Sequence, residues 1–213
     1  MRASLRGFGR ALCMTAIALL AVGVRTATAV PVITFDEATG SSGTQSDQSI
    51  GWQFDVLSPL TVTGLSWYDE GANGLAVAHT VGIWNPSGTL LASVLVPAGT
   101  AAPQEGQFRT VAVTPFTLAV GNGYIVGGQN FANSTDRLAF NVTQTVDPRL
   151  RYVDATFSEI GTGFTRPATF STANNGFYGP SFSADIPEPG TGALLAAGLL
   201  PLAGIMARRR RRR

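Results

Sequence analysis

Short apolar segments alternate with polar turns along most of the chain, and this pattern predicts β-strands. Nine segments are rich in β-branched and aromatic residues and are bounded by Gly, Pro, Asn or Ser, which is typical of strands. They are residues 32–35, 50–56, 60–68, 80–84, 90–96, 108–113, 124–127, 138–142 and 177–182. Since no long apolar stripe with helical spacing lies between them, we expect an all-β body.

The turns between these segments indicate how the strands pair. Asn85, Pro86 and Gly88 occupy positions one, two and four that a type I turn favours, so segments 80–84 and 90–96 are predicted to form a hairpin. Nine strands with closely spaced turns favour two packed antiparallel sheets, a β-sandwich or jelly roll. Residues 144–176 are polar and irregular, and are predicted to be a long loop over one end or edge of the sandwich.

The first 29 residues have the pattern of a signal peptide. Basic residues precede an uncharged apolar stretch at 11–24, and Ala27 and Ala29 form the small-x-small pattern that signal peptidase recognises. We therefore expect a signal helix within 1–29, cleavage after Ala29, and an exported domain over 30–183.

The C-terminal end predicts a membrane anchor after a short linker over 184–190. Residues 191–207 carry no charge, and as a helix they would span about 25 Å, slightly less than a hydrocarbon core of about 30 Å. Basic residues beside a transmembrane helix stay on the cytoplasmic side, so the exported domain should lie outside. The basic cluster consists of Arg208, Arg209, Arg210, Arg211, Arg212 and Arg213.

Charge is divided unevenly between the ends and the body. The 213 residues carry a net charge of +2, but residues 30–187 contain five arginines against twelve carboxylates, a net charge of −7. A nucleic-acid-binding tail needs no apolar run before its arginines, so we do not expect nucleic-acid binding. The body contains no cysteine or lysine, which excludes disulfides and thiol chemistry there.

The connection after segment 60–68 is the first candidate site. Asp69, Glu70 and Asn73 lie there, followed by His79, the only histidine. One interpretation is a tight loop held by hydrogen bonds from side chains to the backbone. The other is a calcium site made by Asp69, Glu70 and Asn73 with backbone carbonyls. Apart from calcium, no cofactor is expected, because a zinc site or a catalytic triad would depend on His79 alone.

Aromatic side chains offer a second candidate site. Trp67 and Tyr68 are consecutive on a predicted strand, so one of them should face solvent near the acidic loop and could stack on a sugar ring. Adjacent carboxylates such as Asp69 and Glu70 point to opposite faces of a strand and are poorly placed as a glycosidase pair. We therefore do not expect an enzyme.

The order of parts at the C-terminus resembles the PEP-CTERM class of bacterial exported proteins. Pro187, Glu188 and Pro189 come first, followed by the apolar run and the arginine cluster. The resemblance implies that an exosortase, a membrane protease-transpeptidase, recognises the tripeptide and removes the anchor. It also implies a link with exopolysaccharide and the biofilm matrix. The alternative is that the tripeptide is only a rigid spacer.

The body resembles a DUF4082-like domain over about residues 50 to 130, beginning with GWQFDVLSPLTVTGLSWYDEG. That resemblance implies a β-sandwich without an assigned activity. We expect a non-catalytic exported protein that is held at the inner membrane and then sorted to the cell surface or extracellular matrix. Its expected partners are signal peptidase, exosortase and the inner membrane. The alternative is a glycan-binding module that contacts exopolysaccharide.

Overall fold

The computed structural model describes residues 29–43, 47–171 and 173–186. In these segments the chain forms fifteen strands and two short 3₁₀ turns, Glu37–Thr39 and Glu70–Ala72. The strands are β1 Ala29–Pro31, β2 Ile33–Asp36, β3 Ser41–Gly43, β4 Gln48–Val56, β5 Leu60–Tyr68, β6 His79–Trp84, β7 Leu90–Val96, β8 Gln104–Glu105, β9 Phe108–Leu118, β10 Gly121–Asn130, β11 Leu138–Phe140, β12 Thr143–Val146, β13 Leu150–Phe157, β14 Thr169–Ser171 and β15 Pro180–Asp185.

Most strands belong to two antiparallel sheets. The first has the order β1-β15-β5-β9-β8 and the second β14-β13-β4-β10-β6-β7, while β2 pairs with β12 and β3 with β11. The sheets pack face to face: the ring of Trp52 on β4 stacks on Phe182 of β15 at a centroid distance of 6.1 Å. The prediction of an all-β antiparallel body is confirmed, and each of the nine predicted segments overlaps a strand.

The hairpin between β6 and β7 forms as predicted. The N–H of Gly88 donates to the carbonyl of Asn85, and the Asn85 side-chain oxygen accepts from the N–H of Thr89 at 2.9 Å. Gly88 has a φ of +86°, a conformation that favours glycine. The local residues therefore determine this turn.

The prediction that residues 144–176 form one long loop is wrong. Strand β13 lies within that range and pairs along β4, from Leu150 opposite Val56 to Phe157 opposite Ile50. A register shift between Tyr152 and Asp154 interrupts the alternation of side chains. The sequence of β13 therefore lacks the regular apolar-polar alternation from which strands are predicted.

The rest of that range covers the outer face of the six-stranded sheet. Phe164 packs against Trp84 at a centroid distance of 5.3 Å, and Pro167 lies over Gly127 of β10. Because this face is covered, β4 is buried along nearly its whole length rather than at alternate positions.

The two ends of the described chain meet at one edge of the five-stranded sheet. Strand β1 pairs antiparallel with β15, with Ala29 opposite Asp185 and Val30 opposite Ala184. Strand β15 thus continues the folded body to Asp185, two residues into the segment predicted as a linker.

The other predictions for the two chain ends fall outside the described residues. No helix in the described part of the chain is long and apolar enough to cross a membrane. Four predicted segments lie outside the described residues. They are the signal helix up to residue 28, with Ala27, the tripeptide Pro187-Glu188-Pro189, the transmembrane helix and the arginine cluster.

Candidate functional site

The loop that follows β5 is organised around the buried carboxylate of Asp69. Arg109 on β9 donates from Nε to Asp69 Oδ2 at 2.7 Å, and the N–H of Gly74 donates to both carboxylate oxygens at 3.0 and 3.1 Å. Arg109 also donates to the carbonyls of Ala72 and Ala102. The guanidinium and the carboxylate therefore tie the loop to β9 through a buried ion pair.

The other two residues of the candidate calcium site are engaged differently. Glu70 lies 3.5 Å from Arg137 in an exposed ion pair, and Asn73 lines a polar cavity of about 130 Å³ together with Tyr68 and Asp136. In the described part of the chain, no group of three or more His, Cys, Asp or Glu side chains is arranged to hold a metal ion. The geometry favours the hydrogen-bonded loop, and the calcium site stays the alternative interpretation.

His79 is buried between the two sheets. Its ring stacks on the indole of Trp67 at a centroid distance of 3.8 Å and an interplanar angle of 5°. Nδ1 lies 2.9 Å from the carbonyl oxygen of Gln129, and Nε2 lies 2.9 Å from Asp136 Oδ2. Both ring nitrogens therefore lie within hydrogen-bond distance of an oxygen atom of the protein. Neither nitrogen is left to act as a base or to bind a metal.

Asp136 is the centre of this cluster, and the sequence patterns did not identify it. Its carboxylate accepts from the N–H groups of Ala76 and Val77, from His79 and from the hydroxyl of Ser134. Burial opposes ionisation, but the hydrogen bonds from His79 and the two N–H groups outweigh it and lower the pKa of Asp136. The available signal was the Ser134-x-Asp136 turn, in which the Asp136 N–H donates to Ser134 Oγ.

The predicted glycan-contact residues are both buried, so the prediction that one of them faces solvent is wrong. Trp67 is 0% exposed and Tyr68 is 1% exposed. The two side chains do leave different faces of β5, but Phe35 and Phe108 cover Tyr68 at centroid distances of 5.1 and 6.2 Å. Burial, followed by a hydrogen bond to Glu37, raises the pKa of the Tyr68 hydroxyl above its usual range. Neither ring is available to stack on a sugar.

A second polar cluster surrounds the point where β15 ends. Arg149 donates from Nη1 to Asp185 Oδ1 at 3.1 Å and from Nη2 to the Asp185 carbonyl at 2.7 Å. The N–H of Thr61 donates to Asp185 Oδ1 at 3.0 Å. Arg149 is in turn held by Asp147, with Nη2 and Oδ2 at 2.8 Å. Burial opposes ionisation of Asp147, but the hydrogen bonds and the positive charge of Arg149 outweigh burial and lower the pKa of Asp147. We call Asp185, Arg149, Asp147 and Thr61 the exit cluster.

Comparison with known families gives two matches. The model of the domain of unknown function DUF4082 matches residues 35–191, and that of the PEP-CTERM protein-sorting motif matches residues 185–212. No curated protein and no solved structure matches the chain. The second match begins at Asp185, so the exit cluster lies where the body passes into the sorting motif.

Proposed function

The chain belongs to the DUF4082 family and carries a PEP-CTERM sorting motif, and from this premise we propose that it is a non-catalytic exported protein of the cell envelope or extracellular matrix. The motif indicates an exported protein that passes the membrane and is processed by an exosortase. The observation that carries the proposal is the place of this motif, whose match begins at the last residue of β15, the last described strand of the two-sheet body.

The polar clusters of the body support a non-catalytic role. The imidazole of His79 is buried with both nitrogens bonded, and the carboxylate of Asp69 is neutralised by Arg109. A general base or nucleophile must reach a substrate, and these groups are instead bonded within the protein. They hold loops in place, which suits a structural component.

The proposed course of sorting has two stages. First, the C-terminal apolar segment holds the exported protein at the inner membrane, with the arginine cluster fixing its orientation. The exosortase then removes the anchor at Pro187-Glu188-Pro189, and the body passes to the cell surface or the matrix. The two prolines favour the extended backbone that proteases bind.

Replacement of Pro187, Glu188 and Pro189 by alanine tests the proposal. We expect export to continue while the full-length form accumulates in the membrane, as measured by intact mass in the native host. Replacement of Arg208 to Arg213 by alanine is the matched comparison, and it should impair orientation or retention before cleavage. If the alanine variant of the tripeptide matures to the parent mass at the parent rate, the tripeptide is only a spacer, and the proposal that an exosortase cleaves there is wrong.

Binding to a glycan is the alternative function, but Trp67 and Tyr68, the residues predicted to contact the sugar, are buried. All three tryptophans, Trp52, Trp67 and Trp84, are buried. Chromatography of the purified body on immobilised exopolysaccharide from the host distinguishes the two functions. The proposed envelope or matrix role predicts no more retention than for a protein of the same net charge.

A further inference from the structure

The two large sheets have four edge strands, and one of them is long and unprotected. Strands β1, β8 and β14 have only two or three residues each. The fourth edge strand, β7, has seven residues and pairs only with β6 among the described strands. Proteins usually protect a long edge with a charge, a proline or a bulge, because its free N–H and C=O groups can pair with another chain. Strand β7 has one register shift near its start, and from Ala92 to Val96 it contains neither a charge nor a proline.

An apolar groove runs beside this edge. A space of about 520 Å³ lies between residues 91–94 of β7 and residues 112–116 of β9. Val94 on one wall and Val113 and Phe116 on the other are only partly buried, although they pack on the core. Strand β9 also has a free edge here, but Pro115 lacks the N–H that a complete ladder needs. A strand added to β7 would continue the six-stranded sheet over this groove and cover its apolar side chains.

This side of the body is also free of charged residues. Residues 71–104 and 110–135 include β6, β7, β10 and most of β9, and they contain no Asp, Glu, Lys or Arg. Three of the nine exposed large apolar side chains of the described chain lie on β7: Leu90, Leu91 and Leu95. Residues 30–187 carry a net charge of −7, all of it on other segments. Two copies of the body therefore repel each other unless they meet through this uncharged side.

We propose that β7 is a dimer interface, at which it pairs antiparallel with β7 of a second copy of this chain. Two identical strands can form an antiparallel pair, so this edge is complementary to itself. A two-fold axis at Ser93 places Ala92 opposite Val94 of the second copy, and Leu91 opposite Leu95. Each β7 then covers the groove of the other chain, and no free β7 edge remains, so association stops at two chains. A chain that keeps its C-terminal tail can form the same dimer, so this inference is independent of the proposed sorting.

Disulfide trapping of full-length chains in the native host tests this register. The only cysteine of the sequence is Cys13, so a Cys13→Ser chain is a background without thiols. In the dimer the two Cα atoms of residue 93 are about 4.5 or 5.5 Å apart, within the range of about 4.4–6.8 Å that a disulfide spans. Ser93→Cys should therefore give a covalent dimer on non-reducing electrophoresis, after oxidation or with a short bifunctional thiol reagent. Thr114→Cys, exposed on the free edge of β9 but away from the axis, is the control and should give about tenfold less dimer.

A charge on the edge separates strand pairing from chance encounters between thiols. Leu95 is 60% exposed, so Leu95→Lys in the Ser93→Cys chain adds an edge charge without disturbing the core. We expect the covalent dimer to decrease by about tenfold, since a lysine replaces an apolar contact of the interface. Ile160→Lys is the matched control, because Ile160 is 69% exposed in the loop after β13, far from β7 in the sheet, and should leave the yield unchanged.

Three results would overturn the proposed dimer. The first is no covalent dimer from Ser93→Cys by either route, and the second is an equal yield from Thr114→Cys. The third is a Leu95→Lys chain that cross-links as well as the Ile160→Lys control. In each case β7 would not pair with a second copy, and its open edge would be left for a strand of another protein.

Discussion

At the scale of single residues, the buried ion pair between Arg109 and Asp69 makes the strongest prediction for stability. Replacing Arg109 by Met leaves the Asp69 carboxylate buried without a counter-charge, so we expect a loss of about 3–5 kcal/mol in the free energy of unfolding. Urea denaturation of the purified body measures it. Arg137→Met is the matched control, because its pair with Glu70 is exposed and should contribute at most about 1 kcal/mol. Equal losses in the two variants would contradict the role given to Arg109.

The same geometry makes a prediction about calcium. The carboxylate oxygens of Asp69 already accept from Arg109 and Gly74, and Arg137 places a second positive charge beside Glu70. A cation would have to displace these donors, so saturating calcium should leave the melting temperature unchanged. A ligand that binds only the folded state raises the melting temperature by mass action. A rise with calcium that a chelator reverses would restore the metal site.

The residue scale also shows where sequence reasoning stops. The alternation of side chains along β5 correctly separates Trp67 from Tyr68, but it does not reveal what lies over each face. Tyr68 is covered by Phe35, which is 33 positions earlier in the chain and on another strand. Likewise, His79 was identified as the only histidine, whereas its partner Asp136 is brought to it by the loop after β10. Burial by distant segments is the information that a local pattern lacks.

At the scale of strands, local chemistry was sufficient where a strand alternates regularly or a turn has the residues it needs. The β6–β7 hairpin is such a case, with Asn85 and Gly88 in their expected positions. Strand β13 was missed because a bulge and two charged residues, Arg151 and Asp154, break its pattern. It forms nevertheless, because it pairs with β4 on one side and with β14 on the other.

Close contact between β4 and β10 predicts a specific sensitivity to side-chain volume. A Cβ on Gly51 would lie against the carbonyl oxygen of Val126 and 2.7 Å from the Cα of Gly127, both backbone atoms of the paired strand. Gly51→Ala should therefore push the strands apart and cost at least about 1–3 kcal/mol of stability. Gly121→Ala in β10 is the control, because its Cβ would come no closer than 3.5 Å to any neighbour, an ordinary van der Waals contact with the ring of Tyr124. Thermal unfolding measures the effect, and an equal drop in the melting temperatures of the two variants would contradict this account.

At the scale of the whole molecule, two buried tyrosines and one half-buried tyrosine make stability depend on alkaline pH. Burial is the main cause of a raised pKa for Tyr68, Tyr152 and Tyr178, and that of Tyr152 reaches about 12. A hydroxyl with a raised folded-state pKa stays protonated in the folded protein but ionises near pH 10 in the unfolded chain. Stability is therefore complete below about pH 10 and falls above it, by up to about 1.4 kcal/mol per pH unit for each tyrosine.

Titration with base measures this dependence. Tyrosinate absorbance and far-ultraviolet circular dichroism should change together, because these hydroxyls ionise as the body unfolds. If the three hydroxyls ionised near pH 10 while the dichroism stayed native, their burial would not control stability. At the acidic end the sign is reversed: Asp136 and Asp147 have lowered pKa values, so their contribution is present above about pH 4 and is lost as the pH falls further.

The position of the last strand determines when the body can fold. Strand β15 is the second strand of the five-stranded sheet, between β1 at the edge and β5. Its pairing with β1 brings the first and last described strands together. Its Phe182 is fully buried and packs on Trp52 and Phe54 of the opposite sheet. Neither the five-stranded sheet nor the core is complete until Asp185 has crossed the membrane. Export and folding are therefore linked through the same strand that leads into the sorting motif.

Two truncated bodies test this dependence. A chain of residues 30–186 retains β15 and the exit cluster, so we expect it to unfold cooperatively. A chain of residues 30–179 lacks β15, which leaves β5 with an open edge, β1 without a partner and the Trp52 ring without Phe182. Loss of one buried Phe alone costs about 3–5 kcal/mol, a large part of the 5–15 kcal/mol that stabilises most domains. We therefore expect the shorter chain to show no cooperative transition in urea and fast proteolysis. Cooperative unfolding of the shorter chain at the midpoint of the longer one would show that the body folds without its last strand, and would separate folding from the passage of the sorting motif.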